Sequence, residues 1–469
     1  MKTLCFFLLF AFLGLTSASA QALTPAQNDH ADTNDQVHTI ESVLIEVAAL
    51  LSEFKHDEAI ALFDTIAPPG EDNSYLRFLR ASVLSSAGRF AEARTIAQAI
   101  SAEEPNNTDV LFLLAAIEGV MGRDREQQAL LEQIIRIEPD NAEALVALGN
   151  INLQRRTIRT AATHFDRVLS NDPQNLGALL GMGRALRMNQ EFESAAQFFN
   201  RAVELYPYSA EARSERARFL RGRGLIVNAL DDLNVAKSVA PYDYWIAIDR
   251  GTLLLEVNMR SQALEEFKRA IEINPNEFLA YIYTSGLRDE FGDHDGAMRD
   301  YAILAALRPD YFFALEGLGL HKMRIGDWEA ARDAFKEAHR QAPNEHLYAL
   351  LAAINWMRMG DITSPRAFLG QTMARVERNS LEWHMFRLFH DLTARNFQGE
   401  TAMITRLERE TNQALRARML FFMGQYYDVR GMANTANRFY LQVHEMNIRA
   451  IPEWRLNEWI LTERNIRPL

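Results

Sequence analysis

Eight prolines, at positions 105, 139, 173, 207, 241, 275, 309 and 343, stand at seven consecutive intervals of 34 residues. A fixed period of this length marks stacked copies of one supersecondary unit, each too small to bury its apolar face alone. Proline can open a helix or follow one but removes a hydrogen bond inside it, so each lattice proline marks a boundary between helices. Only six of the chain's 14 prolines lie off the lattice, which leaves few to break the helices between.

The surroundings of each proline repeat too. Twenty-four residues before it stands a small residue: Ala81, Ala115, Gly149, Gly183, Ala217, Gly251, Ser285 and Gly319. Twelve before it stands alanine, at 93, 161, 195, 229, 263, 297 and 331, with Gln127 the exception. Small side chains at these two places let paired helices approach closely. Eight before it come Leu131, Phe165, Phe199, Leu233, Phe267, Tyr301 and Phe335, with only Ala97 small. These large groups are placed to fill the seam between successive hairpins. Seventeen before it, between the helices, stand Gly88, Gly122, Gly224, Gly292, Gly326 and Asn258, residue types that tolerate the left-handed conformation ending a helix.

Small at the eighth position, alanine at the twentieth, aromatic at the twenty-fourth and proline at the thirty-second: these residues resemble the signature of the tetratricopeptide repeat (TPR) family. The resemblance covers most of the chain. It implies an all-α TPR solenoid, a right-handed superhelix of antiparallel helix pairs with the first helix of each pair lining a concave groove. Each repeat then rests on its neighbours rather than on a shared globular core.

The ends follow from the same register. Residues 1–20 hold one base, Lys2, an apolar run from Cys5 to Leu15 and Ala18-Ser19-Ala20. The run is too short to span a bilayer and matches a cleaved secretory signal peptide, which places the mature start at Gln21, with an uncleaved anchor as the alternative. Residues 21–37 are polar and read as a flexible lead. A continuous array is expected over 40–377, beginning with a divergent repeat that carries Ala59 and Phe63. Pro365 is expected to interrupt a second helix near its start. Divergent units fill 380–449, where the register slips near residue 415 and is restored by Gly424, Gly431, Ala436 and Tyr440. From 450 to 469 Pro452 starts a C-terminal capping helix: Trp454, Leu456, Trp459 and Ile460 need cover, while Asn457, Glu458 and Glu463 face solvent.

The tail from Phe421-Phe422-Met423-Gly424-Gln425-Tyr426-Tyr427 to Glu458-Trp459-Ile460-Leu461 resembles the end of an enterobacterial envelope TPR lipoprotein, a family of adaptors that bring a periplasmic processing protease to cell-wall hydrolases. The present chain differs in length and lacks a lipidation cysteine after its apolar core.

Composition excludes much chemistry. The only cysteine, Cys5, leaves with the leader, so disulfides, thiolate metal sites and cysteine nucleophiles go together. The 62 acidic residues outnumber 50 basic ones, which argues against general nucleic-acid binding. No His-Glu-x-x-His pair occurs, and His339 with His346 or His384 with His390 are wrongly spaced for one helical face. Gly317-Leu318-Gly319 and Gly181-Met182-Gly183 fall inside helices and read as close-packing glycines. Asp231 with Asp232 and Asp289 with Glu290 read as solvated helix faces, and Tyr242, Tyr244 and Trp245 as a repeat junction. No catalytic set, metal site or cofactor is expected.

One constellation points to binding. The family's inward positions fall 23 and 20 residues before the lattice proline: Asn150 and Leu153, Arg184 and Arg187, Arg218 and Arg221. Arginines three apart share a helix face, and those 34 apart stack on neighbouring repeats. With Gln154 they would form a basic strip suited to carboxylates, although Glu215 and Glu211 stand close enough on the same helix to pair with Arg218. The expected function is a non-catalytic periplasmic scaffold that binds envelope proteins in its groove, in cell-wall or outer-membrane maintenance. The alternative is a groove that holds an exported anionic polysaccharide. After cleavage no membrane-spanning segment is expected.

Overall fold

The computed structural model describes residues 42–51, 55–66, 73–392 and 397–466; the leader and flexible lead expected at 1–20 and 21–37 lie outside them. Among the described residues every regular element is a helix, and none is long and apolar enough to cross a membrane. The chain divides into two compact units, Met1–Val239 and Ala240–Leu469.

The first unit stacks hairpins in chain order: 42–51 with His56–Phe63, Ser74–Ser86 with Phe90–Glu103, Thr108–Val120 with Asp124–Ile137, Ala142–Gln154 with Ile158–Asn171, Leu176–Met188 with Phe192–Leu205, and Ala210–Gly222 with Ile226–Val239. The second repeats the plan from Tyr244–Glu256 with Arg260–Ile273 through Gln413–Val429 with Ala433–Met446, and ends on the single helix Pro452–Glu463.

What starts each first helix is the residue two beyond the lattice proline. Asn107, Asn141, Asn175, Ser209 and Asp243 are N-caps whose side-chain oxygens accept backbone N–H groups of the first turn. Each cap satisfies a donor that helix geometry leaves orphaned. Two later units carry Glu277 and Tyr311 in this slot and make no side-chain cap.

Between paired helices the slot 17 before the proline has positive φ throughout the array. Gly122 and Asn258 adopt it as expected, and so do Arg156 at 60° and Gln190 at 65°. In those two hairpins the turn imposes the conformation on a residue type that disfavours it.

The seam is packed to contact. Phe165, Phe199, Phe267 and Phe335 are fully buried, as are the seven alanines from Ala93 to Ala331. A Cβ built on Gly149 would lie 2.5 Å from the Phe165 ring, and one on Gly181 of the next repeat 2.3 Å from the same ring. Gly183 and Gly319 stand likewise at 2.9 and 2.7 Å from Phe199 and Phe335, so the paired glycines are close-packing positions. The Gln127 exception is met by Gly119, where a Cβ would fall 2.4 Å from the glutamine amide. Each buried ring contributes about 1.5–3 kcal/mol of burial, summed along the array.

Three expectations are corrected. Pro365 does not interrupt its helix: it is the third residue of Thr363–Met373, within the first turn, where its missing N–H would have no partner anyway. Asn457 does not face solvent but is fully buried, donating to the Tyr440 carbonyl at 3.0 Å. Leu153 does not line the groove: it is buried in the core with Phe165 and Met182.

Overpacking this seam costs about 1–3 kcal/mol. Gly181→Ala should therefore lower stability by that amount in urea unfolding. Gly286→Ala, on a helix with nothing within 4 Å of its Cβ, should raise it by about 0.5–1 kcal/mol. Equal effects would show that the ring contact does not limit helix approach.

Candidate functional site

In the first unit the inward faces of Ala142–Gln154, Leu176–Met188 and Ala210–Gly222 carry the expected residues. Arg184 donates to Asn150 Oδ1 at 3.0 Å, a bond between residues 34 apart that ties neighbouring repeats. Its guanidinium also lies 3.9 Å from Glu215. Arg218 donates to the same Glu215 carboxylate at 3.0 Å. The structure thus brings together Asn150, Arg184 and Arg218 and threads Glu215 between the arginines. Gln154, Arg218 and Arg221 are exposed; Asn150, Arg184 and Arg187 are partly buried.

Carboxylates edge this face. Crowding by neighbouring groups raises the Glu211 carboxyl above its ordinary value, with Arg184 and Arg218 opposing that rise. Burial also raises Asp109 and Glu143, the latter helped by the like charge of Asp109. The groove is a mixed-charge ladder rather than a bare basic strip. Arg184 Nε is buried without a hydrogen-bond partner, a donor left for an incoming acceptor.

Asp232, expected on a solvated helix face, is structural instead. It is 1% exposed and accepts from Arg213 and Arg216. Glu266 pairs with Arg250 in the same way, one repeat later in the lattice. Arginine 25 before the proline and an acid nine before it recur in both repeats, a spacing legible in the sequence.

In two consecutive repeats of the second unit the same inward slots are Gly286, Asp289, Leu320 and Met323; Gly286 is open and the other three are covered. Leu320 and Met323 are buried in one core with Leu456 and Leu461 of the last helix, with Trp459 and Ile460 packed against it. Arg455 forms an ion pair with Asp289 across 166 residues of chain. Trp459 meets His294 and His321 at ring-centroid distances of 5.1 and 5.0 Å. Behind it Glu453 pairs with Arg418 at 3.0 Å and Glu458 with His444 at 2.9 Å. The capping helix therefore also occupies its own unit's inward face.

Asp289, expected on a solvated face, is the hub of this contact. It accepts from His321 Nε2 at 2.7 Å and from the Tyr301 hydroxyl at 3.0 Å. Burial opposes its charge, but His321, Arg455 and Tyr301 together hold the carboxyl below its ordinary value. Burial pushes the Tyr301 hydroxyl up to about 12, so it stays a donor. Ligand atoms of Asp289, His294 and His321 lie within 4.8 Å of one another and could hold a metal ion, yet Arg455 already supplies the carboxylate with a counter-charge. No sequence spacing announces this cluster, because its members meet only in the fold.

Two family models described as tetratricopeptide repeat match the chain, one over residues 153–210 and 287–346, the other over 50–117. Similar solved structures include a tetratricopeptide repeat protein from Parabacteroides merdae, 17% identical, with 53% of this chain and 98% of that one covered at TM-score 0.43. Pseudomonas aeruginosa pilF is 20% identical over 45% of this chain and 96% of its own, at TM-score 0.40. YrrB, described as a TPR protein with an unusual peptide-binding site, is 21% identical over 39% and 95%, at TM-score 0.28. No curated protein matches the sequence.

Breaking one side of a buried ion pair costs about 3–5 kcal/mol, so Asp289→Asn should speed hydrogen exchange in 452–463 and leave 142–188 unchanged. Acid should lower the protection of the same segment. Burial, Arg324 and His321 depress His294 below its ordinary value of 6.5, so its contribution is complete above that pH and is lost as pH falls through the folded value. Asp289, also depressed, follows the same sign below 3.8. Protection factors in 452–463, that is, exchange corrected for its intrinsic pH dependence, that stay flat between about pH 7 and 5 would contradict the His294 assignment.

Proposed function

The chain is a tetratricopeptide repeat protein, and from that premise we propose that it is a non-catalytic scaffold exported to the bacterial periplasm, binding protein segments on the inward face of its first unit. The observation that carries the reading is Arg184: it is fixed by Asn150 of the preceding repeat and approached by Glu215 of the following one, and it keeps a buried donor without an acceptor. Arginine forks and carboxylates alternating along one helix face suit a peptide segment, whose backbone supplies both acceptors and donors and whose side chains carry both charges.

The envelope role, in cell-wall or outer-membrane maintenance, rests on the leader sequence and on the likeness of the tail to the envelope adaptors. The anionic-polysaccharide reading is weaker at this face, because a polyanion running along it would meet Glu211 and Glu215 as well as the arginines. Like-charge contacts of that kind are repulsive.

Crosslinking in cells followed by mass spectrometry tests the proposal, comparing the parent chain with one carrying Arg184→Ala, Arg187→Ala, Arg218→Ala and Arg221→Ala. Crosslinks to a defined envelope protein should fall at least about tenfold, the equivalent of one charge-assisted hydrogen bond of about 1.5 kcal/mol. Partners that persist unchanged, or retention of an anionic glycan in place of any protein, would overturn it.

A further inference from the structure

The second unit carries a half-open pocket of about 350 Å³ against its last helix, at the small end of the range of about 300–1,000 Å³ typical of ligand pockets. We propose that this pocket binds a small organic anion, a carboxylate carried on an apolar body. The site is independent of the first unit's groove.

Three arginines line it, Arg324, Arg358 and Arg464, against one carboxylate, Glu463. Arg358 and Arg464 share a single counter-ion, Asp428, at 3.0 and 2.6 Å, so two cations answer to one anion. Arg324 pairs with the exposed Asp295 at 2.9 Å, a partner that solvent screens.

Apart from His294 Nδ1, a ring nitrogen that can accept or donate, the unmet polar atoms of the lining are all donors. Gln425, fully buried, spends its carbonyl on Arg358 at 2.9 Å, and its amide Nε2 has no acceptor. Turning the amide over would set NH₂ against a guanidinium, so the orphan is a donor in fact as well as in name. Arg324 Nε and Arg358 Nε are also buried without acceptors. Buried donors are ordinarily paired, and a deficit of acceptors beside surplus positive charge is what an anion would supply.

The remaining wall is apolar. Met323, Leu456, Ile460 and Trp459 face the same space, and Arg324 lies over the Trp459 ring at 5.8 Å. Hydrated inorganic anions gain nothing from such a wall. A carboxylate on a flat or branched hydrocarbon buries it while its two oxygens accept from the guanidinium forks. Because five of the twelve lining residues belong to the last helix and a sixth, Arg464, caps it, the ligand would also hold that helix in place.

Equilibrium dialysis of the full chain tests this with phenylacetate, phenylacetamide and inorganic phosphate. Phenylacetate should bind saturably with a dissociation constant in the millimolar range or tighter, and at least tenfold more tightly than either control. Gln425→Glu keeps the bond to Arg358 but adds a charge at the site, and Arg324→Gln removes a fork; each should weaken phenylacetate at least tenfold while melting stays near that of the parent. Equal binding of the amide, equal binding of phosphate, no saturable binding, or binding untouched by both variants would each overturn the proposal. The parent comparison stands even if a variant fails to fold.

Discussion

Most of the described repeats depend on one steric fit: an aromatic ring from the second helix of a repeat lies where a side chain on the first helices would otherwise be. Phe165 fills the space that a Cβ would take on both Gly149 and Gly181, locking its own repeat and the next to one ring. Tyr440 plays the same part against Gly424, where a Cβ would stand 2.4 Å away. Helix separation in each hairpin is therefore set by contact. Because each ring touches only adjacent repeats, the fold propagates without a shared core.

A fixed separation also fixes which residues face inward, and the two units use that face differently. In the first unit it is polar, with Arg184, Arg218 and Glu215 forming a ladder that solvent reaches. In the second it is apolar at Leu320 and Met323, carries Asp289 beside them, and is covered there by the helix that follows the last hairpin. The same repeat geometry thus yields an accessible face in one unit and a self-occupied one in the other. The difference lies in side chains at two slots per repeat.

Much of this was legible in sequence because it recurs every 34 residues. The prolines, the small positions, the aromatic seam and the left-handed turns each repeat, and each reflects a local constraint that one sequence exposes. The N-caps two beyond the first five lattice prolines and the Arg216–Asp232 and Arg250–Glu266 pairs carry the same period and were open to the same reading. Contacts made once were not. Arg455 meets Asp289 through the path of the whole second unit, and no spacing encodes that meeting. Asn457 looked like a solvent-facing residue because helical periodicity assigns one buried face, whereas this helix is packed on two sides. Leu153 shares its slot with two arginines and turns into the core instead, since its side chain has nothing to gain from the polar face.

The central claim is that the first unit's inward face is open to partners while the second unit's is taken by the chain itself. A photo-reactive amino acid placed singly at Gln154 in the first unit and at Glu316 in the second, in cells, measures this directly. The account predicts adducts with other proteins from position 154 and, from position 316, adducts within the chain that map to residues 452–463. Capture of other proteins from 316 with none from 154 would contradict it.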